Sequence, residues 1–241
     1  MNDRNISFYN EWAERELCNN LRHVILRWKA TNLANLFLRT LKINEVESVC
    51  EIGGAEGTVL YYVSQVINAK NIVNFEISEK FCKVGNHEYP NIDFNNLEFS
   101  ENEADYNLII LSDIIEHIND EDQFLAMVAA HCDYVLLKIP IEKCAETTIA
   151  PFLPHHEDRN RFKYGPTHYN GHLRGYTISQ AKKIISKYFL ILDSLDSDVL
   201  FFYGTQKRLL IKKWIGSKGS IFLFGGALFI LGKSKTPSQK K

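Results

Sequence analysis

Apolar residues recur at helical spacing near the start of the chain and then give way to short, strand-like runs. Over residues 11–42, Leu17, Leu21, Val24, Ile25 and Trp28, followed by Leu33, Leu36, Phe37 and Leu41, lie three or four positions apart, which predicts two N-terminal helices. From residue 46 the pattern changes. Strands are predicted at Val46–Gly53, Asn71–Ile77, Ile92–Phe94, Asn107–Leu111, Tyr134–Ile139, Phe189–Leu195 and Ala227–Leu231. Helices are predicted between them at Thr58–Ile67, Glu79–His87, Asp120–His131 and Ser179–Tyr188. Near-continuous apolar strands alternating with helices signal a parallel sheet covered on both faces. The expected fold class is therefore α/β, a doubly wound, mostly parallel, seven-stranded sheet. A helical cap is expected over 1–45, the main domain over 46–234 with an insertion at 142–174 after the fifth strand, and a tail over 235–241. Ligands in such sheets sit outside the carboxyl ends of the strands.

Composition narrows the class. Of 241 residues, 45% are hydrophobic and 24% charged, the balance of a chain that buries its own core without staples. Disordered, collagen-like and disulfide-scaffold classes are excluded. Lys+Arg 28 against Asp+Glu 29 leaves a net charge of -1, so no nucleic-acid partner is expected. Cys18, Cys50, Cys82, Cys132 and Cys144 form no C-x-x-C, so no structural metal site and no disulfide framework are expected. The start is polar, and the longest apolar run, 221–231, is broken by Gly225-Gly226 and falls short of the roughly 20 residues that span a bilayer. A soluble, cytoplasmic protein is the expectation.

The segment Ser48-Val-Cys-Glu-Ile-Gly-Gly-Ala-Glu-Gly-Thr-Val-Leu60 leads a strand through a glycine-rich turn into a helix. Glycine suits a backbone that turns tightly and approaches a ligand with no Cβ in the way. A dinucleotide G-x-G-x-x-G pattern needs glycine at 53, 55 and 58 and finds only Gly53. The acidic E/D-x-G-x-G-x-G turn finds Glu51, Gly53 and Gly57, with Ala55 as the one departure. The second predicted strand ends in Glu76, nineteen positions after Gly57, where a carboxylate either accepts ribose hydroxyls or simply ends a strand. A third apolar strand exits into Ser112-Asp113, followed by Glu116-His117.

Taken with Gly171-His-Leu-Arg-Gly-Tyr-Thr177, these ordered motifs resemble those of the class I S-adenosylmethionine-dependent methyltransferases, in particular enzymes of small molecules and glycans. The resemblance covers about residues 46–140 and implies S-adenosylmethionine as cofactor. It implies that Glu51, Gly53, Gly54 and Gly57 line the methionine part, Glu76 the ribose and Ile77 the adenine. Asn95 or Asn96 would stand beside the adenine amine, and Ser112, Asp113 and His117 would complete the site. A branched side chain at Gly53 is expected to collide with the ligand. The implied reaction moves a methyl group from a sulfonium to a small polar acceptor, a sugar or glycan hydroxyl being the first candidate.

A base is needed for a hydroxyl, and histidine is suited to it near neutral pH. The candidates are His117, His172 and His168, the last two in a polar stretch with His155, His156, Glu157 and Asp158. Asp158, Arg159, Arg161 and Tyr164 could grip a polyol or phosphate. No metal is expected, since the spacing fits no standard ligand motif. Five basic residues between Lys207 and Lys218 either dock on an anionic membrane or form an exposed amphipathic linker. Phe8, Tyr9 and Trp12 either close over the cofactor or join the core. Two alternatives remain, a non-catalytic module that keeps the fold, and a NAD(P)-dependent oxidoreductase disfavoured by the glycine spacing.

Overall fold

The structure is a computed structural model that describes residues 13–14, 16–17, 21–42, 46–99, 104–149 and 171–236. Its seven strands are β1 (Val46–Ile52), β2 (Ala69–Phe75), β3 (Asp93–Asn95), β4 (Tyr106–Ser112), β5 (Cys132–Ile141), β6 (Phe189–Ser197) and β7 (Gly226–Ser234). They form one sheet in the order β3-β2-β1-β4-β5-β7-β6, parallel except for β7, which runs antiparallel to β5 and β6. The expected doubly wound, mostly parallel sheet is present, and its order reverses between β1 and β4, where β1 pairs with both β2 and β4.

Two apolar layers cover the sheet. On one face α1 (Arg22–Thr40) and α2 (Thr58–Val66) bury Leu33, Leu36, Phe37, Leu60 and Val63 against Val49, Leu108 and Phe229. On the other, α4 (Glu121–Ala130) and α6 (Ile178–Tyr188) bury Leu125, Val128 and Ile185 against Ile109, Val135 and Leu137. Between them in sequence lie α3 (Glu79–Glu88) and α5 (Ala145–Ile149). After β6 come α7 (Leu200–Tyr203) and α8 (Gln206–Phe224).

Of the N-terminal stretch expected to be helical, residues 22–40 form one unbroken helix. Within it Asn32 and Thr31 return their side chains to the carbonyls of Trp28 and Arg27, one turn earlier. Ala13, Glu14, Glu16 and Leu17 are also helical. The stretch expected to be a linker, 207–218, is helical too, with a kink at Gly216 (φ 71°). Local side chains fix the helix starts. Ser78 accepts from the Phe81 N–H, Asp120 accepts from Gln123, and Thr177 with Gln180 forms a reciprocal capping box.

Candidate active site

At the reversal point β1 ends in Glu51-Ile52 and the chain enters the turn 53–57. Gly53 (φ 67°), Ala55 (φ 48°) and Gly57 (φ 81°) all take left-handed backbone, which curls the main chain around a concavity. Gly57 caps α2, and a Cβ there would meet the Phe94 ring at 2.8 Å, so this glycine serves packing. A Cβ on Gly54 would fall 2.1 Å from Asn74 Oδ1, and one on Gly53 would fall 2.7 Å from Ile114 Cδ1. At Gly53 the positive φ strains any side chain whatever the space, and a Cβ would also have to displace the end of the Ile114 side chain.

The turn is strapped down from three sides. Gly53 N–H donates to the Phe75 carbonyl (2.7 Å), Asn74 Nδ2 to the Ala55 carbonyl (2.9 Å), and Ala55 N–H to Glu76 Oε2 (2.9 Å). Below it, Arg22 of α1 grips the buried Glu56 through Nε (3.1 Å) and Nη2 (2.5 Å). The other Glu76 oxygen accepts from Ser78 N–H at 2.7 Å. Burial pushes the Glu76 carboxyl above the usual range against these donors. Glu51 is 1% exposed and accepts from Leu60 N–H at 3.0 Å. Its burial outweighs that bond and raises its pKa to about 8.

A cavity of about 1460 Å³ opens over this turn. Glu51, Gly53, Gly54, Glu76, Ile77, Ser112, Asp113, His117 and His172 all line it, whereas Gly57, Asn95 and Asn96 do not. Asn96 instead donates to the Glu76 carbonyl, and the Asn95 carbonyl accepts from Glu76 N–H, while Leu97, Glu98 and Phe99 form the wall beyond them. The Ser112 hydroxyl and Asn74 Oδ1 are buried with no hydrogen-bond partner among the described residues, so polar atoms beside the turn remain to be satisfied. His168, His155, His156, Glu157, Asp158, Arg159, Arg161, Tyr164, Phe8, Tyr9 and Trp12 lie outside the described residues.

Past Ser112 the charges tighten. Asp113 adopts φ 57° and lies between Lys29 Nζ of α1 (2.6 Å) and Lys138 of β5. Burial alone would raise its pKa, but the two ammonium groups prevail and hold it well below the usual carboxylate range. Next in the chain, Glu116 is fully buried and neither carboxylate oxygen has a hydrogen-bond partner among the described residues. Burial first, then the Asp113 charge, raise its pKa to about 8.

The segment 171–177 docks onto this loop. Leu173 N–H donates to the Glu116 carbonyl, and Arg174 reaches both Glu121 (2.8 Å) and the Asn119 carbonyl (2.7 Å). The result brings His172 edge to face with His117, ring centroids 4.9 Å apart. His117 Nδ1 donates to the Gly171 carbonyl (3.2 Å), and His172 Nδ1 lies 2.9 Å from Glu142 Oε2. Burial, and then His172, lower the His117 pKa to about 4. Burial acts downward on His172 as well, yet Glu142 overrides it and raises its pKa. Lys29, Lys138 and Glu142 carry no motif, so sequence reasoning had no handle on them. One donor atom each from Glu116, His117 and His172 lie within 4.8 Å of one another, a spacing able to hold a cation.

The turn, the paired strand ends and the reversal point define a doubly wound α/β fold with its cavity at the carboxyl ends of the strands. A family model described as a methyltransferase domain matches residues 9–188. The chain belongs to the S-adenosylmethionine-dependent class I methyltransferases, a family whose cofactor is S-adenosylmethionine. That membership leaves no place for the oxidoreductase alternative. Among solved structures, the chain is similar to the N-methyltransferase NodS from Bradyrhizobium japonicum WM9 in complex with S-adenosyl-L-homocysteine. The identity is 12%, the TM-score 0.59, and 94% of this chain and 98% of that one are covered. It is also similar to the magnesium protoporphyrin IX methyltransferase from Synechocystis PCC 6803 with bound S-adenosylhomocysteine. There the identity is 13%, the TM-score 0.61 and the coverage 95% of each chain. At these identities the likeness is one of fold. No curated protein matches the chain in sequence.

Proposed function

We propose that this protein transfers a methyl group from S-adenosylmethionine to a hydroxyl of a small polar acceptor, with a sugar or glycan hydroxyl as first candidate. The observation that carries the reading is one cavity lined by the Gly53–Ala55 turn, by Glu76 and by the His172–Glu142 pair. Its 1460 Å³ exceeds the ~300–1,000 Å³ of a site for one small ligand, leaving room for cofactor and acceptor together.

The residues present fit the cofactor. Gly53 and Gly54 would hold its methionine part through main chain, Glu76 its ribose and Ile77 its adenine, with Ser112 lining the same cavity. When bound, the cofactor supplies an electrophilic methyl on sulfur. The chain's own part is to hold the acceptor oxygen in line with that methyl and to remove its proton. His172 is placed to take that proton on Nε2, because its Nδ1 is held by Glu142, whose charge stabilises the imidazolium that forms. Lys29 and Lys138 keep Asp113 ionised as a fixed acceptor beside the reacting centre.

Calorimetric titration with S-adenosylhomocysteine and mass-spectrometric assay against a panel of sugars test the reading. His172→Asn should leave nucleoside affinity intact and cut kcat by roughly 10²–10⁴-fold, the usual worth of a positioned base. Full turnover in that variant would remove the base assignment. Binding without turnover of any acceptor would favour the non-catalytic module.

A second reading is favoured by the unsatisfied Glu116 carboxylate. With His117 and His172 it would hold a divalent cation that lowers the acceptor hydroxyl's pKa. Titration with Mn²⁺ decides between them. Stoichiometric binding lost in Glu116→Gln supports the cation, and its absence leaves the histidine alone.

A further inference from the structure

The antiparallel neighbours β6 and β7 are joined by α7 and α8, and α8 leaves much of its apolar surface exposed. Two of its five cations turn toward the protein. Arg208 pairs with Glu146 of α5, and Lys212 with Asp198 at 2.9 Å. Its apolar residues turn outward. Trp214 is 90% exposed, Phe222 71% and Leu210 56%, with Ile211 and Ile215 near 40%.

Lys207, Lys213 and Lys218 flank that apolar face and are exposed. No Asp or Glu occurs anywhere from residue 199 to the end of the sequence, so nothing on this helix offsets their charge. A lone apolar face fits many partners, but a large aromatic at the crest with lysines around it and no acid fits an anionic bilayer surface. No helix among the described residues is long and apolar enough to cross a membrane, so α8 would lie along the surface. Gly216 sharpens the fit. Its φ of 71° kinks the helix, and the kink leaves Trp214 and Phe222 on the two arms.

We propose that α8 docks this protein on an anionic membrane, with Trp214 and Phe222 entering the interface and Lys207, Lys213 and Lys218 on the headgroups. The same helix forms a wall of the cavity through Arg208 and Phe224. Docking therefore sets the cavity mouth beside the bilayer, where an amphiphilic acceptor with its polar end in the headgroup layer would be reached. That consequence rests on the methyl-transfer reading, whereas the docking itself does not.

The test is co-sedimentation of the full chain with phosphatidylcholine vesicles with and without phosphatidylglycerol, following Trp fluorescence. Binding to the phosphatidylglycerol vesicles with a blue shift that vanishes in Trp214→Tyr supports the proposal. Replacing Lys207, Lys213 and Lys218 by Gln should weaken that binding about 100-fold, at about a factor of five per surface charge. Added salt should weaken it too. No binding to either vesicle overturns it. So does a concentration-dependent dimer that shifts the fluorescence without lipid, since the face would then belong to a second copy. Trp214 does not line the cavity, so Trp214→Tyr should keep S-adenosylhomocysteine affinity unchanged, which separates failure of docking from failure of the cofactor reading.

Discussion

Ala55 holds a left-handed conformation (φ 48°) at the one position where the acidic glycine-rich turn departs from pattern. An L-residue with a Cβ there carries roughly 1 kcal/mol of strain that glycine avoids. Ala55→Gly is accordingly expected to raise stability by about 0.5–1 kcal/mol in chemical denaturation, with the hydrogen bond to Glu76 preserved. An unchanged or lower midpoint would mean that the turn relaxes around alanine at no cost. Glu51 gives a pH prediction. Burial raises its folded pKa to about 8 while the unfolded chain titrates near 4.5, so the folded state binds more protons between those values. Its stability contribution is full below the unfolded pKa and is lost as pH rises through the folded one. Wild type should therefore lose stability relative to Glu51→Gln as pH is raised from about 4.5 to about 8. Parallel stability curves for the two proteins would contradict the burial argument.

Single elements owe their limits to local chemistry that can be removed one group at a time. Helix α6 starts at the reciprocal Thr177–Gln180 capping box, immediately after the segment that carries His172. Thr177→Ala should cost about 1 kcal/mol of stability in thermal unfolding. Because Arg174 and Leu173 remain tied to Asn119, Glu121 and the Glu116 carbonyl, nucleoside affinity should stay unchanged. A fall in affinity would show that the cap positions the site as well as the helix. Helix α8 illustrates the opposite dependence. Its basic residues read in sequence as an exposed amphipathic linker in preference to a docking surface, and the packing of Arg208 on Glu146 and Lys212 on Asp198 reveals which side faces out.

At the scale of the whole molecule, α1 ties the N-terminal region to the glycine-rich turn through the buried Arg22–Glu56 pair, side chains 9% and 3% exposed. Removing one partner leaves a buried charge uncompensated, so Arg22→Met should destabilise by about 3–5 kcal/mol, and adding Glu56→Leu should restore most of that loss. A double variant no better than the single would assign the cost to lost packing. The same view separates what was readable in the chain from what was not. The alternation of apolar runs and the spacing of Glu51, Gly53, Glu76 and Ser112-Asp113 are properties of neighbours in sequence, so they laid out the strands, the turn and residues that line one cavity. Asn95 and Asn96 missed the cavity because a loop's register against the sheet depends on which side chains its carbonyls leave to satisfy. Lys29, Lys138 and Glu142 come from α1, β5 and the residue after β5, and no local pattern links them to Asp113 or His172. Sequence determined the sheet and the helices between its strands, because periodicity and turn chemistry act over a few residues. Tertiary structure alone decided which charges meet, which histidine is raised in pKa and which is lowered, and which face of α8 is left outside, because each depends on burial and distance between segments far apart in the chain.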